Sequence, residues 1–126
     1  MKISPYLQFN GNCAEAVRFY ENVFDVTAKV YKDDNGFISH AELDFGDGWI
    51  GLSDTPHDEE KSAFGNGGIS ISVSLTDENA VNSIFEKLSE GGKVFEKPEA
   101  TEWCDLFCTF EDKYGVNWSL ICGAEE

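Results

Sequence analysis

Two stretches of helical periodicity divide this chain, and each is preceded by one strand-like run and followed by three more. The first helical stretch opens at Asn12, which with Glu15 three residues on matches a capping box, and its Ala16, Tyr20, Val23 and Phe24 recur at helical spacing. The second follows Thr76 and Asp77. Its Val81, Ile84, Phe85 and Leu88 fall on one helical face, and Gly91-Gly92 supplies the stop. The runs SPYLQFN and ISISVSL precede the two helices. Thr27 to Tyr31, Phe37 to Phe45 and Trp49 to Ser53 follow the first, and Lys93 to Glu96, Cys104 to Glu111 and Val116 to Cys122 follow the second. A constant offset of 64 lays Ala16 on Ala80, Val17 on Val81, Lys29 on Lys93 and Val30 on Val94, a faint internal repeat. The order is βαβββ twice, which predicts an α+β fold of two modules, about 1-54 and 69-122, in a single domain. Turn sequences such as DDNG, GDG and DKYG sit at hairpin distances, so each sheet is expected to be largely antiparallel. The polar segment 55-68, DTPHDEEKSAFGNGG with its leading Asp54, reads as the connector.

A chain of 126 residues, 41% apolar and carrying ten Phe, four Tyr and three Trp, has enough apolar surface for a packed core. Its formal charge of -15 repels polyanions, which excludes nucleic acid and anionic membrane as expected partners. No apolar run reaches the roughly 20 residues of a membrane span, and MKISPYLQFNG has no signal-peptide core, so the expected location is cytoplasmic. Cys13, Cys104, Cys108 and Cys122 form no C-x-x-C pair and read as reduced core thiols, with Cys104 and Cys108 on one face of a strand.

With PYLQFNGNCAEAVRFYENVF, HAELDFGDGWIGLSD, FEKLSEGGKVFEKP and EDKYGVNWSLI in this order, the tandem repeat resembles the vicinal oxygen chelate superfamily of glyoxalases, bleomycin-resistance proteins and extradiol dioxygenases, and within it the PhnB-like branch. The resemblance implies curled sheets that form a cup with the helices outside. It further implies a small-molecule or metal site inside, and a homodimer. It places four metal-ligand positions near Pro5, Gly51, Ser70 and Ser119, and none of these is a His or a Glu. No metal and no cofactor is therefore expected; GNGG at 65-68 runs into a strand and reads as a turn rather than a nucleotide loop.

Strand alternation then assigns the faces. If Gly51 faces the cup, so do Trp49 and Ser53, as do His40, Glu42 and Asp44, while Ala41, Leu43 and Phe45 turn to the helix. Ser70, Ser72 and Asn117 are the matching candidates in the second module, and Trp103, ahead of its strand, is a candidate cover for the cup's mouth. Trp118 falls on the helix-facing side. His40 and Glu42 admit three readings: a solvated hydrogen-bonded pair, ligand contacts, or half of a metal site. His57, in the acidic connector, reads as solvated. The expected function is metal-independent binding of a polar small molecule in the cup, with a lyase, an isomerase or a rearranged metal enzyme as the alternative.

Overall fold

Each helical stretch folds against one four-stranded sheet, and the chain divides into two units, Met1–Ser62 and Ala63–Glu126. The computed structural model describes residues 1, 3-54 and 69-123; the expected connector, His57 included, lies outside them. In the first unit β1 (Tyr6–Phe9) leads to α1 (Cys13–Phe24), followed by β2 (Lys29–Lys32), β3 (Ile38–Asp44) and β4 (Trp49–Asp54). In the second, β5 (Ile71–Leu75) leads to α2 (Glu78–Leu88), followed by β6 (Lys93–Glu99), β7 (Leu106–Glu111) and β8 (Asn117–Cys122). The strand orders are β1-β4-β3-β2 and β5-β8-β7-β6, with the first pair of each parallel and the others antiparallel. The doubled βαβββ order is therefore the observed one.

The helix-facing side of each sheet carries the core, because alternate strand positions meet the apolar stripe of the helix. In the first unit Leu7, Phe9, Ile38, Ala41, Leu43, Ile50 and Leu52 are buried with Ala16, Val17, Tyr20 and Val23 of α1. In the second Cys108, Phe110, Trp118, Leu120 and Cys122 are buried with Val81 and Leu88 of α2. Val17 and Val81, matched by the offset of 64, are both buried in the first half of their helices, and Lys29 and Lys93 each open the strand after the helix.

Four local expectations are corrected. Asn12 makes no side-chain cap. The α1 N-terminus is held instead by Asp54, at the end of β4, whose Oδ1 accepts from Gly11 N–H at 2.9 Å and Cys13 N–H at 3.0 Å while its Oδ2 accepts from Ile38 N–H at 3.1 Å. A carboxylate there meets the positive end of the helix dipole as well as orphan N–H groups, so it outcompetes the neutral side chain of Asn12. Cys104 stands outside β7 in a turn in which Thr101 Oγ1 accepts from its N–H at 3.1 Å, so it does not share a strand face with Cys108. Phe45 falls one residue past β3 and is 38% exposed, although its ring meets Phe24 edge-on at 5.2 Å. β6 continues to Glu99 through Pro98; a proline is tolerated on this edge strand, which is bulged.

Candidate functional site

On the face of the first sheet turned away from α1, one row of the register runs Tyr6, Gly51, Glu42, Lys29 across all four strands. His40 and Tyr31 face each other in the next register pair of β3 and β2. Gly51 leaves a gap in the middle of the row. A Cβ at that position would stand 2.6 Å from Tyr6 Cε2 and 3.0 Å from Trp49 Cζ3. The Tyr6 ring therefore lies across β4, in space that any side chain at 51 would take, and reaches β3.

What it reaches is the imidazole. The Tyr6 hydroxyl is 3.0 Å from His40 Nδ1, and His40 Nε2 is 2.8 Å from Glu42 Oε2. A carboxylate only accepts, so Nε2 carries a proton; the neutral ring then offers Nδ1 as acceptor to the phenol. Phenol, imidazole and carboxylate thus form one directed chain of hydrogen bonds. The rings are nearly parallel: Tyr6 and Tyr31 flank His40 at centroid distances of 5.7 and 6.1 Å, inclined 22° and 29° to it. His40 and Glu42 side chains keep about a third of their surface open, at 33% and 37%, and Tyr6 keeps 44%. The chain is thus reachable by a solute, and every group in it is a proton carrier.

A sequence model described as the Glyoxalase/Bleomycin resistance protein/Dioxygenase superfamily matches residues 2–120. The chain belongs to that superfamily. Among proteins similar to it is YjdN of Escherichia coli strain K12, 24% identical over 95% of this chain and 94% of its own length. A crystal structure of PA1353 from Pseudomonas aeruginosa is 30% identical with a TM-score of 0.83, covering 99% of both chains. A PhnB protein from Bacillus cereus is 26% identical with a TM-score of 0.78, covering 98% of this chain and all of that one.

The superfamily resemblance brings a metal arrangement that the residues of this member do not fit. Pro5 lies just ahead of β1, where its carbonyl oxygen accepts from Gly51 N–H at 3.0 Å; Gly51 offers no donor atom, and the Tyr6 ring fills the space beside it. Ser70 is exposed ahead of β5, and Ser119 is a buried hydroxyl in β8. Such a set lacks the carboxylates and imidazoles that hold divalent ions. Among the described residues no group of three or more His, Cys, Asp or Glu is placed to hold a metal ion.

Of the eight ligand-binding residues expected from sequence, the structure joins His40 to Glu42 and sets half-buried Trp49 beside them against the site of Gly51. Ser53 continues this face of β4, pairs with Gln8 and is buried. The other four lie in the second unit and form no comparable chain. Ser72 is exposed in a row with Ser119 and Thr109, Asn117 Nδ2 donates to the Ile69 carbonyl at 3.3 Å, and Trp103, 51% exposed, meets Phe107 edge-on at 4.8 Å. Tyr6 and Tyr31 are the site residues that sequence reasoning missed. The alternation in SPYLQFN already separates Tyr6 and Gln8 from Leu7 and Phe9, so a signal for Tyr6 was present.

Proposed function

We infer that the chain is a metal-independent small-molecule-binding protein of the glyoxalase and bleomycin-resistance type, which holds a polar, planar ligand on the open face of the first sheet. The observation that carries this reading is the Tyr6–His40–Glu42 chain flanked by Tyr31 and Trp49. It offers ring faces for stacking beside groups that fix a ligand's orientation by hydrogen bonds, the composition of an organic-ligand site. The test is a melting-temperature screen of polar metabolites and drugs against the parent protein and His40→Ala. Compounds that raise the parent melt and leave His40→Ala unmoved support the reading, and a screen in which every stabilising compound acts equally on both overturns it. Elemental analysis of protein purified without chelator tests the metal clause: a stoichiometric bound metal would refute it.

The hydrogen bond from Tyr6 to His40 favours a second reading, an isomerase or lyase acting by proton transfer, because a purely binding surface needs no proton carrier behind its phenol. A homodimer is part of the proposal. The outermost strands, β1 and β2 of the first sheet and β5 and β6 of the second, carry backbone groups that their own sheet leaves unpaired, and a second copy is the simplest cover for such edges. Light scattering should give twice the 14.0 kDa chain mass, and a monomer at micromolar concentration would remove this clause.

A further inference from the structure

We propose that Tyr6 is the proton-transferring residue of this site, activated by His40 and Glu42, and that the substrate class is a small carbonyl compound with an acidic C–H beside the carbonyl. The inference rests on the proton-transfer reading above and adds the reacting group, its activation and the chemistry. Of the three groups, the phenol stands at the exposed end of the chain, and its hydroxyl is 3.0 Å from a ring nitrogen whose opposite nitrogen is fixed 2.8 Å from a carboxylate. This is the order in which a weak acid is activated by a base that a third group orients.

The step balances within the chain and its substrate. The phenol proton passes to His40 Nδ1, and Glu42 stabilises the resulting imidazolium at Nε2. The phenolate oxygen then takes the proton from the carbon, the C–H electron pair becomes the new C–C π bond, and the carbonyl pair moves onto oxygen. The proton now on Tyr6 is returned to that oxygen, which gives the enol, and His40 gives its proton back to the phenolate. Nothing is oxidised and no group leaves; the outcome is tautomerisation. Phenol, imidazole and carboxylate all take up and release protons, so proton transfer is a chemistry that every member of the relay supplies.

Gly51 is a positioning residue in this account. Its missing side chain is what allows the Tyr6 ring to cross β4, so Gly51→Ala should push the phenol off His40 without removing any of the three relay groups. The other charged groups that the register sets on this face are Lys29, opposite Glu42, and Asp44, opposite Trp49. Of these groups it is the imidazole that the phenol hydrogen-bonds, at 3.0 Å.

Tyr31 gives an internal reference, since at 57% exposure it is more open than Tyr6 on the same face. The full chain is treated with N-acetylimidazole at several pH values, and acetylation of each tyrosine is followed by peptide mass spectrometry. Tyr6 should react at least tenfold faster than Tyr31 at pH 7, with the advantage lost in acid, where a protonated imidazole no longer accepts from the phenol. His40→Phe and Gly51→Ala should bring Tyr6 down to the Tyr31 rate, and Glu42→Gln should give an intermediate rate. Melting curves identify any variant that fails to fold, and the wild-type Tyr6 to Tyr31 ratio decides the matter without variants. Equal rates in the parent, or an advantage that survives His40→Phe in folded protein, would overturn the proposal. Hydroxyacetone in deuterated water supplies the substrate arm: the parent should speed exchange of its C–H protons, seen as loss of proton NMR signal, and Tyr6→Phe should not. Failure of this exchange in a parent that shows the acetylation advantage removes the carbonyl class. Labelling needs no ligand and the melting screen needs no acetylation, so the relay and the binding reading fail separately.

Discussion

The two units share one strand order and one pattern of helix-facing residues, yet they hold their helices differently and present different surfaces on the opposite face. In the first unit a carboxylate from the far end of the chain segment, Asp54, closes the turn before α1 and also binds the start of β3. In the second, Asp77 caps α2 locally by accepting from Asn79 N–H at 2.9 Å, and Cys122 stands where Asp54 stands at the end of the last strand. The strongly tied buried carboxylate of that unit is Asp112. It holds the hairpin through the N–H groups of Tyr114 and Val116, at 2.8 and 3.1 Å, and accepts from the buried Trp118 Nε1 at 2.9 Å. Two copies of one topology thus place their most connected acid at opposite ends of the last strand. The open faces differ accordingly in chemistry: an aromatic and proton-carrying row in the first unit, and hydroxyls with the Thr109 to Glu96 bond, 3.2 Å, in the second.

The largest expected effect tests the long-range tie. Asp54→Ala leaves three backbone N–H groups without their acceptor in a buried place, which should cost about 3 to 5 kcal/mol in urea unfolding. Asp77→Ala removes one local cap and should cost about 1 kcal/mol. Equal costs would mean that the two helices are held alike and that the contrast is only geometric.

Next in size is the contrast between the faces of β3. Leu43→Ala empties a fully buried place under α1 and should cost roughly 2 to 5 kcal/mol, whereas His40→Ala, on the open face, should cost no more than about 1 kcal/mol. A His40→Ala protein as damaged as Leu43→Ala would mean that the Tyr6–His40–Glu42 chain is a structural element. In the second unit Trp118→Phe shrinks a buried ring and removes the donor to Asp112, for an expected loss of about 1 to 3 kcal/mol. A smaller loss would show that the turn N–H groups of Tyr114 and Val116 suffice for Asp112.

These contrasts also mark what the sequence could convey. Repeated order, helix faces and the inward turn of Trp118 were legible because they depend on period and parity, which are local properties. Leu43 and Ala41 could be assigned opposite His40 and Glu42 for the same reason. The α1 cap was misread because Asn12 satisfies a local rule while the acceptor that prevails lies 41 residues from Cys13. Tyr6 was overlooked for a related reason: its importance depends on pairing with Gly51 and on reaching over it, and parallel register between β1 and β4 is set by tertiary packing. Trp103 and Ser70 stand outside regular strands, where parity makes no prediction.

The smallest expected effect separates the two units by their thiols. Burial pushes Cys13 up to about 12, with the nearby charge of Asp54 adding to it. Burial also raises Cys108, but a hydrogen bond with the backbone of Leu120 draws it back, to about 11. A thiol is neutral when protonated, so the folded state keeps protons that the unfolded chain gives up near 9.0. The sign follows: the contribution is fully present below pH 9 and is lost as pH rises, through about 11 for Cys108 and about 12 for Cys13. Tyrosines and lysines titrate in the same range, so the informative quantity is the change in alkaline slope between each variant and the parent. Cys108→Ala should flatten the decline between pH 9 and 11, and Cys13→Ala should flatten it up to 12. Asp54→Asn removes the charge beside Cys13 and should draw the upper end of its window down while leaving the Cys108 window in place. Urea midpoints from about pH 8 to about 12 for the four proteins measure this. If Asp54→Asn moved both windows together, the two thiols would share one environment, and the electrostatic difference between the units would be lost.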